Sequence, residues 1–377
     1  MPWNTVSAMS LRREFVMLAL AEGCNRRELC RRFGISPKTG YKWLHRYQSN
    51  GPDGLQERSR RPHHSPQCTP EVIEQRIIAL RHEHPDWGGR KLHRRLLDLG
   101  HRDVPAPSTI TDVLRRHGLL DPVTAGQVRD YQRFEHPYPN GLWQMDFKGH
   151  FALDRGRCHP LTVLDDHSRF NLALRACENE QGVTVQAELT STFRHYGLPE
   201  RMLVDNGSPW GNDTRSRITP LTVWLMRLGI GVTHARPYHP QTLGKDERFH
   251  RTLKREVLSH TIFHHLEQCQ QRFDHWRTAY NQERPHEALE LDVPAKHYKP
   301  SRRTFPETLP SIEYGPGETV RKVQAKGELY YRGNIYRVPK ALRGYPVALR
   351  PTNQDGIVSI CFYQSQVSEI DLRNPYK

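Results

Sequence analysis

Cysteine is scarce and unpatterned. Seven occur in 377 residues, at positions 24, 30, 68, 158, 177, 269 and 361, and no two form C-x-x-C. An odd, scattered set argues against a disulfide scaffold, and no Cys/His cluster has the spacing of structural zinc. The thiols read as reduced, small core residues. Long apolar runs are also missing, and charges recur too often for a membrane-spanning helix. The run Phe15–Ala21 stops at Glu22 with no cleavage-like site after it. The faint twin-arginine look of Ser10-Leu-Arg-Arg is therefore read as the start of a helical domain, and the chain is expected in the cytoplasm. Acid is the minority charge: 41 Asp+Glu face 56 Lys+Arg, a net +15 with a pI near 9.6. Residues 1–120 alone hold 21 basic against 12 acidic side chains. So local an excess points to a polyanionic partner, nucleic acid above all.

The length allows two or three domains. Residues 1–50 read as helix, helix, turn, helix. Asn25 is suited to cap the second helix and Ser36-Pro37 to open the third. On that third helix Trp43, Leu44 and Tyr47 face inward, while Lys38, Thr39, Lys42 and Arg46 face outward. This is the helix-turn-helix pattern, whose last helix enters the major groove; the plainer alternative is a helical bundle with a basic surface. Gly40 inside a helix implies a close approach to a neighbouring helix or to DNA. Residues 51–69 form a basic connector in which Arg58, Arg60 and Arg61 suit phosphates or a minor groove, or serve only as a flexible linker. Residues 70–120 repeat the three-helix pattern, with Ser108 as expected cap of the last helix and Lys91, Arg94 and Arg95 as one basic face. Residues 121–140 read as a linker.

From Leu142 the texture changes. Leu142–Phe151, Cys158–Asp165 and Phe170–Cys177 look like successive strands, and helices then alternate with the strands Arg201–Val204 and Gly231–His234. A mixed sheet with helices on it follows for residues 141–300. Residues 301–377 hold six short strands, as in a small barrel. The fold class is thus multidomain α/β.

Three acids stand out. Asp146 lies mid-strand among apolar neighbours, where an unpaired carboxylate is expensive. Asp205 ends a strand before Asn206-Gly207, and Glu247 opens a helix that carries Arg251 and Lys254 at i+4 and i+7 on one face. Each has a bland reading: a bridged strand acid, a turn acid, a helix-start acid. Together, in this order of elements, they suit two hard cations about 4 Å apart at a phosphodiester.

Four motifs carry a resemblance: Pro139-Asn-Gly-Leu-Trp-Gln-Met-Asp-Phe-Lys-Gly149, Val163-Leu-Asp-Asp-His-Ser-Arg169, Val204-Asp-Asn-Gly-Ser-Pro-Trp210 and Pro237-Tyr-His-Pro-Gln-Thr-Leu-Gly-Lys-Asp-Glu-Arg248. With the paired helix-turn-helix units, the chain resembles a bacterial insertion-sequence transposase of the retroviral-integrase type along nearly its whole length. The resemblance implies a ribonuclease-H-like core and a DDE triad of Asp146, Asp205 and Glu247 as catalytic and metal-binding residues. It implies Arg251 and Lys254 near the DNA, and a small SH3-like β-barrel at the C-terminus. Mg²⁺ is the implied cofactor, two ions, with Mn²⁺ as a substitute. Double-stranded DNA, both element ends and target, is the implied partner, bound by a homo-oligomer at the bacterial nucleoid without a membrane. The implied chemistry is cleavage to free a 3′-OH, then joining of that 3′-OH to target DNA. Asp246, beside Glu247, stands where relatives often have an apolar residue; Asp165 and Asp166 are expected in a turn, away from metal. A DNA-binding regulator over an inactive core, and a nuclease that cuts without joining, remain as alternatives.

Overall fold

A computed structural model describes residues 7–57, 69–120, 135–211, 217–235 and 244–374. The chain divides into two compact units, Met1–Cys68 and Thr69–Lys377.

The first unit is three helices: α1 (Ala8–Ala19), α2 (Arg26–Arg32) and α3 (Pro37–Asn50), closed by a 3-10 turn over Gly51–Leu55. The caps are those the sequence predicts. Asn25 accepts from the Glu28 N–H, and Ser36 accepts from the Thr39 N–H with Pro37 next. Phe15, Val16, Leu29, Cys30, Trp43, Leu44 and Leu55 form the core. Gly40 is explained by helix packing: a Cβ there would meet Cys30 Sγ at 2.6 Å and Phe15 Cζ at 2.7 Å.

The second unit opens with α4 (Glu71–Glu83), α5 (Gly89–Asp98) and α6 (Pro107–Arg116) around Ile77, Leu80, Trp87, Leu92, Leu96, Ile110, Val113 and Leu114. Ser108 is not the cap of α6. The helix starts at Pro107, whose ring presets a helical φ, and no side chain caps it.

The central sheet contains β1 (Trp143–Phe147), β2 (Phe151–Ala152), β3 (Arg157–Asp165), β4 (Asn171–Cys177), β5 (Arg201–Val204) and β6 (Gly231–His234). β3 pairs antiparallel with β1 and β4, and its first residues pair with β2. β5 runs parallel to β1, and β6 parallel to β5. Side chains alternate across the sheet. Trp143, Met145, Leu161 and Val163 point to one face and pack on α7 (Gly182–Tyr196) and α8 (Pro220–Arg227) through Val185, Leu189, Phe193 and Trp224. Leu164 and Leu174 point to the other face, covered by α9 (Gly244–Leu253) and α10 (Leu266–Gln282) through Phe249, Leu253, Phe273 and Trp276. The sequence expects one helix over 245–260; instead α9 gives way to a π-helical turn at Lys254–Leu258. A short helix α11 (Pro294–His297) follows.

Six strands occur near the C-terminus: β7 (Thr319–Lys322), β8 (Glu328–Tyr331), β9 (Asn334–Arg337), β10 (Pro346–Pro351), β11 (Ile357–Phe362) and β12 (Ser365–Asp371). They make two antiparallel sheets, a four-stranded one ordered β12-β11-β10-β7 and the hairpin β8-β9. The sheet and the hairpin share one core that includes Leu329, Tyr336, Leu349, Ile360 and Phe362. Val223 and Met226 of α8 enter that core and tie it to the central sheet. No described helix is long and apolar enough to cross a membrane.

Candidate active site

Strand register brings the first two acids together. Trp143 and Gln144 of β1 lie opposite Met202 and Leu203 of the parallel β5. Two residues further along each strand come Asp146 and Asp205, level at the carboxyl ends. Open α/β sheets present ligand sites at those ends. The turn after Asp205 is tight. Gly207 O accepts the N–H groups of Trp210 and Gly211, and a Cβ on Gly211 would meet Asn206 O at 2.3 Å. Asn206 Nδ2 donates to Ala235 O beyond β6 (2.8 Å), so the loop is anchored to its neighbour strand.

Asp146 faces the α9 side of the sheet, opposite Thr162 of β3. Its side chain keeps 29% of its exposure, and the Phe147 N–H donates to its Oδ1 at 2.8 Å. Burial pushes this carboxyl up to about 7; the Phe147 N–H opposes the rise, while the charges of Asp205 and Glu180 add to it. Asp205 is exposed. Like charges held together without a cation favour the protonated form of one of them.

α9 carries Glu247, the third acid expected from the sequence. Glu247 is exposed in its first turn, whereas Asp246 is fully buried. Neither Asp246 oxygen has a hydrogen-bond partner. Burial, with Asp146 and Asp166 nearby, raises this carboxyl well above its ordinary value. It occupies an apolar position, beside Phe249 and Leu253 on the buried face of α9. His250, one turn beyond Glu247, is also buried, with Nδ1 3.9 Å from Asp146 Oδ2 and Nε2 2.8 Å from Thr162 Oγ1. Residues three apart share a helix face, so Glu247 lies one turn before the side chain that reaches Asp146. Asp246 was weighed from the sequence as the neighbour of Glu247; His250, Thr162 and Glu180 were not singled out. Of these only His250 carries a sequence signal, its i+3 spacing from Glu247.

Asp165 and Asp166 hold the fold together, as expected. Asp165 accepts from the Asn140 N–H (2.7 Å), the Ser168 N–H (2.8 Å) and the Ser168 hydroxyl (2.6 Å). Asp166 accepts from the His136 N–H (2.7 Å), from Gln144 Nε2 (2.6 Å) and from Lys245 Nζ (2.5 Å).

Family profiles match the chain piecewise. Residues 136–240 and 228–294 each match an integrase core domain, and residues 318–376 match the IS481 family transposase C-terminal domain. Residues 11–63 match a helix-turn-helix domain and 39–114 a homeodomain-like domain. The chain is 25% identical over 262 residues to a 39.2 kDa protein of insertion element IS476 from Xanthomonas euvesicatoria, covering 67% of this chain and 72% of that one. It is 24% identical over 243 residues to a 31.7 kDa protein of insertion element IS407 from Burkholderia multivorans, covering 62% and 83%. The chain belongs with the insertion-sequence transposases that carry an integrase core. Among solved structures, a chain of the simian T-cell lymphotropic virus intasome is similar at 15% identity and TM-score 0.38, covering 78% of this chain and 99% of that one. The HTLV-2 integrase catalytic core domain in complex with magnesium is similar at 14% and 0.33, covering 43% and 97%.

An integrase core with helix-turn-helix domains makes this transposase a polynucleotidyl transferase whose substrate is DNA. Its expected DNA-contacting side chains fall into three groups. On α3, Lys38 and Lys42 are exposed and Thr39 and Arg46 half-buried, with Lys42 and Arg46 lying 4.4 and 5.1 Å from the Trp43 ring. Arg251 and Lys254 are exposed beyond Glu247. The α5 face meets the core instead of open solvent. Arg94 pairs with Asp98 (3.1 Å) and with Asp292, and Arg95 pairs with Glu283 (3.0 Å). Burial, with Arg284 nearby, lowers Lys91 to about 8. DNA contact by Arg94 or Arg95 requires those pairs to open. Arg58, Arg60 and Arg61 lie outside the described residues. Glu83, His84 and Glu283 have the grouping of a metal site, but Arg95 already supplies the cation there.

Proposed function

We propose that this transposase binds the two ends of its mobile element, cleaves each to free a 3′-OH, and joins those 3′-OH ends to target DNA. The single observation behind this reading is the level placement of Asp146 and Asp205 at the ends of adjacent parallel strands. The third member of the proposed triad is Glu247, whose first-turn position on α9 lies one turn before His250. Two subunits or more are needed, because two ends must be joined.

The donor set fits hard divalent cations. Asp146, Asp205 and Glu247 offer only carboxylate oxygens, the ligands Mg²⁺ and Mn²⁺ prefer. Burial, and then the Asp205 charge, raise Asp146, and a cation between the two aspartates would favour its ionised form. Two ions, when bound, supply the Lewis acidity that lets water and then a 3′-OH displace an oxygen at phosphorus. The chain's own part is positioning. In this reading β1 and β5 carry two of the carboxylates, α9 carries Glu247, and Arg251 and Lys254 would extend a cationic face along the DNA. Lys38, Thr39, Lys42 and Arg46 of α3 would read the element end, supported by the basic connector. The proposed parts are residues 1–50 and 70–120 for end binding, 141–300 for chemistry and 301–377 for a further contact.

The test is strand transfer of pre-cut element ends into plasmid DNA with Mg²⁺. Joined product supports the reading; cleavage of uncut ends without any joining would leave a nuclease.

A further inference from the structure

His250 sits beside the proposed metal site with a defined hydrogen-bonding state. The Thr162 hydroxyl has one proton and donates it to Asp146 O at 2.9 Å. Thr162 Oγ1 is therefore an acceptor toward His250 Nε2, 2.8 Å away, and Nε2 carries a proton. A buried imidazole with Nε2–H stays neutral when nothing anionic bonds its other nitrogen, leaving a lone pair on Nδ1. That nitrogen lies 3.9 Å from Asp146 Oδ2. The Asp146 main chain is thus tied through Thr162 to the same ring whose other edge looks at its carboxylate.

We infer that His250 Nδ1 is an additional ligand to the metal ion held by Asp146, with Thr162 fixing the ring. This rests on the carboxylate site proposed above. A metal-bound imidazole commonly donates its second N–H to an oxygen, which fixes tautomer and orientation; here Thr162 is that oxygen. Neighbouring ligands of an octahedral ion at bonds of about 2.1 Å lie about 3 Å apart, so the two donors, now 3.9 Å apart, share an ion once they close by about 1 Å. The class of ligand follows from the chemistry. Mg²⁺ favours an all-oxygen shell, whereas an imidazole nitrogen favours a transition ion. The site is accordingly assigned a preference for Mn²⁺ over Mg²⁺ in binding.

The test uses the full chain loaded with Mn²⁺ and read by pulsed electron paramagnetic resonance. The expected result is a ¹⁴N modulation that changes to the ¹⁵N pattern when the protein is made with ¹⁵N-histidine. It should vanish in His250→Gln, which keeps a donor toward Thr162 but has no second nitrogen. Mn²⁺ affinity in that variant should fall about tenfold, and Mg²⁺ affinity less. Asp146→Asn is the control for the site itself. If Asp146→Asn weakens Mn²⁺ binding but the wild-type protein shows no histidine nitrogen, the His250 assignment is overturned and the carboxylate site stands. Modulation that persists in His250→Gln overturns it equally. If Asp146→Asn leaves Mn²⁺ binding unchanged, the carboxylate site falls and His250 with it. The labelling result needs no variant, so a poorly folded His250→Gln does not spoil the test.

Discussion

Asp165 and Asp166 close strand β3, whereas Asp146 and Asp205 stand at the carboxyl ends of β1 and β5. All four sit at or just past strand ends of one sheet, yet their surroundings differ. Each oxygen of Asp165 and Asp166 accepts at least one hydrogen bond from a backbone N–H or a side chain. Asp146 receives the Phe147 N–H on one oxygen, and its other oxygen faces the Nδ1 side of His250. Acids that serve the fold have donors built around them; acids left repelling one another mark a place where something else binds. Asp246 belongs to neither group. It is buried like the first pair, yet neither of its oxygens has a hydrogen-bond partner.

The largest expected effect would break the contrast on the functional side. Asp146→Asn, Asp205→Asn and Glu247→Gln each should cut strand transfer at least about a thousandfold, roughly 4 kcal/mol of barrier. Element-end binding by mobility shift and the thermal midpoint should survive. Wild-type transfer by any one of them removes that residue from the triad.

Next comes the fold side. Asp166→Ala removes the carboxylate that accepts from the Gln144 amide, the His136 N–H and the Lys245 ammonium, and should cost about 3 kcal/mol of stability. The readout is the urea midpoint. An unchanged midpoint would show that the network contributes nothing. Lys245 itself is lowered to about 8 by burial and by Arg169. The sign is therefore that of a cation with a depressed folded pKa: this lysine by itself favours the folded state more as pH rises from about 8 toward its ordinary value.

Asp246 tests the intermediate case. Asp246→Val removes two unsatisfied buried oxygens and should raise stability by about 1–2 kcal/mol. Asp246→Asn should keep most activity. If Asp246→Asn is inactive while Glu247→Gln still transfers strands, the third acid is Asp246 and the helix presents its neighbouring face.

The smallest effect concerns the cations. Lys254→Ala should weaken strand transfer about fivefold, and more at higher salt, because a phosphate contact releases counterions. Lys254→Arg should restore much of it, since charge and reach are kept. Arg94→Ala should instead loosen α5 from Asp292 and act on stability first. A salt series of strand transfer beside a melting curve separates the two, and identical profiles would erase the distinction between the exposed and the paired face.

Local patterns were legible in the sequence because they need only neighbouring residues. Strands β5 and β6 begin and end where alternation and turns place them, the caps Asn25 and Ser36 bond as their types dictate, and six strands follow Thr319. The acids Asp146, Asp205 and Glu247 were proposed as a set from the motifs around them, one mid-strand, one at a strand end and one at a helix start. Tertiary structure alone decided which ends meet. The parallel pairing of β1 with β5 makes Asp146 level with Asp205 across 59 positions of chain, and no periodicity encodes that register. The basic face of α5 has the same composition whether it meets DNA or acids, and packing turned it to Asp292 and Glu283. His250 and Thr162 are 88 residues apart. Their contact exists because α9 packs across the side of the sheet that β3 and Asp146 share, where side-chain volume and burial, not sequence spacing, choose the neighbours.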